Sequence, residues 1–162
     1  MKKMFSTGFF VVGMFSAPVS LTQQQLPAAQ FDYKNDPRLE SLKRFFQKAD
    51  SPAQDLSEEF LRAADEHNLD WRLLPSISLV ESGGGREARN NNLFGWDNGR
   101  AIFTSVRAGI HNVAEKLANS KTYRDKDVDG ILRLYNPNES YAGVVKSVMR
   151  QISPSEKPPL FQ

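Results

Sequence analysis

Apolar residues recur at helical spacing in six stretches of the chain, separated by breaks rich in proline, glycine, asparagine and aspartate. The first stretch, "DPRLESLKRFFQKAD", offers Asp36 as an N-cap, Pro37 at the first helical position, and Leu39, Leu42, Phe45 and Phe46 on one face. After Ser51 and Pro52, "LSEEFLRAADEHNL" sets Leu56, Phe60, Leu61 and Ala64 opposite its charges, with Ser57 placed to cap it. "DWRLLPSISLVES" is nearly continuous in apolar character, which also fits a strand. Leu73, Ile77 and Val80 at helical spacing, with Gly83 to Gly85 as a stop, favour a short buried helix ending near Ser82. Val106, Ile110, Val113, Ala114 and Leu117 mark a fourth helix, and Val128, Ile131, Leu132 and Tyr135 a fifth. Tyr141, Val144, Val145, Val148, Met149 and Ile152 mark the sixth. "GWDNGRAIF" reads as a turn with short flanking strands. The pattern predicts a compact, mainly α domain over residues 36–152 with at most a minor hairpin.

The ends read differently. "MKKMFSTGFFVVGMFSAPVS" has a dibasic start, an apolar stretch and small residues near Ala17 and Ser20, the layout of a signal peptide over residues 1–20. Its apolar part is shorter than the roughly 20 residues of a spanning helix, so no stable membrane span is expected after cleavage. An uncleaved N-terminal anchor is the alternative. Residues 21–35 are Gln-rich and aperiodic, as in a flexible leader, and residues 153–162 form a polar tail. A secreted or periplasmic location follows as the expectation. The chain has no cysteine, so stability must come from packing rather than disulfides. Without Lys2 and Lys3 the 21 basic residues fall to 19, equal to the 19 acidic ones, which argues against a nucleic-acid partner. Nothing in the composition points to an oligomeric state.

The stretch "SLVESGGGREARNNNLFGW" carries the chemistry. Glu81 falls in the last turn of the third helix, where the negative helix end and apolar neighbours disfavour an added negative charge. That environment suits a general acid. Gly83 to Gly85 allow close approach of backbone or substrate, Asn90 to Asn92 bring amide groups, and Phe94 and Trp96 bring faces on which a sugar ring can lie. Each also has a plainer use: a surface glutamate, turn asparagines, core aromatics.

Taken together and in order, "VES", "NNNLFGW", "YNP" (135–137) and "SYAGVV" (140–145) resemble the lysozyme-like superfamily over residues 57–152. The similarity is greatest to bacterial glucosaminidase domains of the flagellar muramidase and endo-β-N-acetylglucosaminidase type, with soluble lytic transglycosylases near. The resemblance implies a lysozyme-like helical domain that cleaves between the N-acetylated amino sugars of peptidoglycan glycan strands, without a cofactor. Under it Glu81 matches the general acid, Ser82 the small residue after it, and Asn92, Leu93, Phe94 and Gly95 the "NLFG" that shapes the cleft. Tyr141 matches a tyrosine close to the acid, and Tyr135 with Asn136 resembles the "YN" pair of the transglycosylases. Trp96 extends the sugar-binding set.

The chain also departs from that pattern. Glucosaminidase domains usually carry an extended hairpin with a second acidic residue after "NLFG", whereas only "WDNGRAIFTS" follows Gly95 here. Two-carboxyl hydrolysis needs a partner at about 5 Å for retention or about 6.5–9.5 Å for inversion. Glu87, Asp97 and Glu139 are the loosely placed candidates. A hydrolase is favoured, a lytic transglycosylase giving anhydro products stays open, and so does a noncatalytic wall-binding subunit. Asp125, Asp127, Asp129 and Gly130 begin like a calcium loop, but Arg133 and the closing Asn136 fit a solvated helix start better. His67 and His111 lie on separate helices without ligand spacing, and no metal is expected.

Overall fold

The structure, a computed structural model, describes residues 32–154. The signal-peptide reading (1–20), most of the leader and the end of the tail lie outside the described residues. Six α-helices follow in order: α1 (Pro37–Lys48), α2 (Ser57–Glu66), α3 (Leu73–Ser82), α4 (Val106–Asn119), α5 (Val128–Tyr135) and α6 (Tyr141–Ile152). No sheet forms among the described residues; an isolated bridge pairs Arg89 with Asn92.

The starts of the helices follow local chemistry. Asp36 accepts the backbone N–H of Arg38 just ahead of Pro37, Ser105 accepts from Ala108, and Asp127 accepts from Gly130. Ser57 is not a cap. A 3-10 helix over Pro52–Leu56 runs directly into α2, so Ser57 is already helical and its hydroxyl turns back to the carbonyl of Gln54 at 2.7 Å. Ser51 caps that preceding turn instead.

Helix α3 is the central element. Residues Leu73 to Ser78 are buried without interruption, and the helix packs against α2 and α6. A helix enclosed on all sides has no polar face to mark its period, which explains why the same run also fitted a strand. Around it, α2 packs on α4 and α1, and α5 packs on α6. Leu42, Phe46, Phe60 and Phe94 are completely buried in the shared core, each such side chain contributing roughly 1.5–3 kcal/mol. The guanidinium of Arg72, paired with Asp70 at 2.6 Å, also donates to the carbonyl of Ser153, tying the start of α3 to the segment after α6.

Two boundaries differ from the sequence reading. The fold begins before Asp36: Tyr33–Asn35 form a 3-10 turn, Tyr33 is buried, and its hydroxyl donates to Asp65 at 3.0 Å. The end of the stretch read as leader is therefore part of the domain, held by tertiary contacts that no local pattern announces, among them the Asp65 hydrogen bond and the Arg62 guanidinium 5.5 Å from the Tyr33 ring centre. The predicted hairpin is a turn without strands. Its backbone closes on itself, Gly99 N–H to Gly95 C=O at 2.8 Å and Ala101 N–H to Trp96 C=O at 3.3 Å, with Asp97 and Asn98 both left-handed. The Asn92 amide occupies the Trp96 and Ala101 carbonyls that strands would share. On α6, Val144 is exposed, so the buried stripe reduces to Tyr141, Val145, Met149 and Ile152.

Candidate active site

Glu81 sits one residue before the end of α3. Gly83 and Gly84, both left-handed, stop the helix, with Gly83 N–H on the Leu79 carbonyl and Gly84 N–H on that of Ser78. Gly84 also presses on Ser51, where an added Cβ would fall 2.0 Å from the hydroxyl oxygen. The helix end, and with it Glu81, is thus anchored against the turn that precedes α2.

The Glu81 carboxylate is divided in its commitments. Oε1 accepts the hydroxyl of Tyr141, the first residue of α6, at 2.6 Å. Oε2 has no hydrogen-bond partner among the described residues and lies beside Gly95, where a Cβ would stand 2.8 Å away. Gly95 is left-handed (φ +59°), so glycine answers both the backbone and the space that Oε2 needs.

An aromatic row continues from this pair. Tyr135, at the end of α5, stacks on Tyr141 with ring centroids 6.0 Å apart and planes 7° from parallel. Its hydroxyl donates to the carbonyl of Phe94. Trp96 meets Tyr135 edge-on at 5.7 Å, and Tyr123 meets Trp96 at 6.0 Å and 48°. Burial pushes the Tyr141 phenol well above the ordinary range, reinforced by its bond to Glu81 and that group's negative charge. Tyr135 is raised by burial and then by the Glu81 charge, and Tyr123 by burial. Tyr135 and Tyr141 therefore serve as neutral donors, and the Tyr123 phenol keeps its proton as well.

These groups border an open cleft of about 570 Å³. Glu81, Gly95, Trp96, Tyr135 and Asn136 line it, joined by Asp97, Asn98, Gly99 and Tyr123. The described lining has two acidic side chains and no lysine or arginine, with Arg100 just outside it paired to Asp97, so Glu81 is the acid without a cationic partner among the described residues. Tyr141 stands behind Glu81 and is 7% exposed.

The remaining residues singled out in the sequence support the loop from inside. The Ser82 hydroxyl donates to the Leu93 carbonyl at 2.7 Å and accepts the Gly85 N–H at 3.0 Å. Asn92 is buried, accepts the Trp96 N–H at 2.9 Å and donates to the Trp96 carbonyl at 3.0 Å. Phe94 is fully buried, edge-on to Phe60 at 6.4 Å. Among the carboxylate candidates, Asp97 lines the cleft and pairs with Arg100 at 2.7 Å; Glu87 and Glu139 are exposed and outside its lining. Tyr123 went unnoticed in the sequence. The available signal was an isolated aromatic in the polar run "KTYRDKD" between two helices.

Among the described residues no set of three or more His, Asp or Glu side chains gathers as metal ligands. Asp127 is used as the α5 cap, and Asp129 pairs with Lys146 at 2.6 Å, an interaction that holds its carboxyl below the usual range. No described helix is long and apolar enough to cross a membrane. No protein-family model matches the chain, and no curated protein is significantly similar to it in sequence.

Proposed function

We propose that the protein is a peptidoglycan glycosidase in which Glu81 is the general acid. The observation that carries this reading is the asymmetric setting of one carboxyl group: Oε1 is fixed by Tyr141 and Oε2 is left open beside Gly95. With Oε1 already accepting the Tyr141 hydrogen bond, Oε2 is the oxygen from which a proton can reach the substrate. From there it passes to the glycosidic oxygen as the C–O bond breaks, and positive charge develops on the sugar ring. The carboxylate left behind accepts the Tyr141 hydroxyl as a charge-assisted bond, which is stronger than the neutral one. Tyr141 thus favours the proton-transferred state, and Tyr135 fixes the Tyr141 ring by stacking on it.

The completing nucleophile distinguishes the two chemical outcomes. Water, oriented by Asp97, gives a reducing end by hydrolysis; an internal hydroxyl of the substrate gives an anhydro end. Hydrolysis is the favoured outcome on the resemblance of "NNNLFGW" to glucosaminidase domains; Asp97, on the cleft lining but paired with Arg100, is the carboxylate available to orient the water. Incubating the purified protein with bacterial sacculi and weighing the released muropeptides by mass spectrometry separates the products, which differ by one water. Glu81→Gln should release muropeptides about 10²–10⁴-fold more slowly. Equal release by that variant, or no release by the unaltered protein, would remove the glycosidase assignment; retention on sacculi without release would leave a wall-binding subunit. Export through the N-terminal signal belongs to the same proposal, and sequencing the mature N-terminus tests it.

A further inference from the structure

Four tyrosines occur in the chain, all of them among the described residues. Three have committed hydroxyls: Tyr33 donates to Asp65, Tyr135 to the Phe94 carbonyl and Tyr141 to Glu81. Tyr123 differs. Its hydroxyl has no hydrogen-bond partner among the described residues, although the side chain is half-buried and lines the cleft. The hydroxyl is not among the buried unpartnered atoms and opens to solvent in the cleft, so its donor and acceptor capacity is free for a ligand that displaces that solvent.

The backbone that carries the ring is also held in place. The Tyr123 N–H donates to the Ser120 carbonyl at 3.1 Å, and its own carbonyl accepts the Lys126 N–H at 3.1 Å, so the backbone is fixed on both sides. Against Trp96 the ring is inclined by 48° rather than stacked. The two faces therefore make an open corner instead of covering one another. Trp96 is only partly buried, and its indole N–H likewise has no hydrogen-bond partner among the described residues. An angled pair of aromatic faces, each with a spare donor, matches a pyranose ring that has apolar C–H faces and a rim of hydroxyl and amide oxygens.

We infer that Tyr123 and Trp96 form a sugar-binding corner that holds a ring of the glycan strand adjacent to the bond being cleaved, with the Tyr123 hydroxyl donating to an oxygen on that ring. The inference rests on the glycosidase reading. It adds a residue that sets substrate length and position and does not itself take part in proton transfer. The corner is built before substrate arrives, so its contribution appears as affinity for longer strands.

The test compares the unaltered full-length protein with Tyr123→Phe and Tyr123→Ala on soluble peptidoglycan glycan strands. Tyr123→Phe keeps the ring and removes the hydroxyl, and should raise KM by about three- to tenfold. Tyr123→Ala removes both and should raise it by more than about tenfold. In both, kcat should stay within about twofold, because Glu81 and Tyr141 are untouched. An unchanged thermal midpoint for Tyr123→Phe excludes unfolding as the cause. Unchanged KM in both variants, or a loss confined to kcat, overturns the corner while leaving the glycosidase intact. An unaltered protein that neither cleaves nor binds the strands overturns both.

Discussion

Two carboxylates on neighbouring helices meet opposite fates. Glu59 on α2 is buried, with Oε1 on the Arg107 guanidinium and Oε2 on the His111 ring at 3.0 Å; His111 in turn reaches Glu66 at 3.1 Å. Both oxygens are engaged and basic groups stand against them. Among the described residues Glu81 on α3 has one neutral donor, no cationic partner, and an oxygen facing a cleft. The first arrangement ties α2 to α4 and offers a substrate nothing. The second leaves a reactive atom uncommitted. Burial alone does not separate the two acids; incomplete satisfaction next to open space does, and the glycosidase proposal rests on that difference.

Exchanging the two acids for amides should break the comparison most sharply. Glu81→Gln is expected to reduce turnover by about 10²–10⁴-fold with the fold retained, as judged by circular dichroism and muropeptide release. Glu59→Gln should leave turnover within about threefold, and a collapse of activity there without unfolding would sink the distinction drawn between the two sites.

Next in size is Tyr141→Phe. It deletes the one hydrogen bond to Glu81, and a bond to a charged group is worth about 1.5–3 kcal/mol, so kcat should fall by about 10–100-fold. Single-turnover kinetics would check it, and an unchanged kcat would show that the Tyr141 bond is not used in proton transfer.

Smaller still is the stability effect of Glu59→Ala, which removes the contacts to Arg107 and His111. Arg107 is 66% exposed, so solvent screening limits the loss to about 1–2 kcal/mol, measurable by urea unfolding. The matching change at position 81 should cost less, since one hydrogen bond is lost there.

The smallest effect concerns alkali. Burial raises the phenols of Tyr135 and Tyr141 above the ordinary value near 10. The folded protein keeps protons that the unfolded chain releases, so this stability is whole below about pH 10 and is lost as the pH climbs beyond it. Tyr135→Phe should flatten the alkaline limb of stability by up to about 1.4 kcal/mol per pH unit. A limb of unchanged steepness would mean that Tyr135 does not contribute.

The legibility of the molecule varies with the range of the interactions. Asp36 and Pro37 mark the start of α1 within a few residues, and Gly83 marks the end of α3, because caps and stops act locally. Ser57 misled, since whether a serine caps depends on what the preceding turn does. Asn92 and Ser82 look like cleft residues in the sequence, yet their side chains bond inward to the loop. Direction is invisible in a string of letters.

The order of apolar and polar positions by itself determined six helices, their approximate ends and the place of Glu81 in the last turn of α3. Those outcomes follow from contacts within a turn or two, which sequence spacing encodes directly. Tertiary packing alone decided that Tyr141, 60 residues away, donates to Glu81, and that Gly95 leaves room for the second oxygen. It also brought Tyr123 to the same cleft. Such meetings depend on how helices lie against one another, and that arrangement is set by the whole core rather than by any one segment.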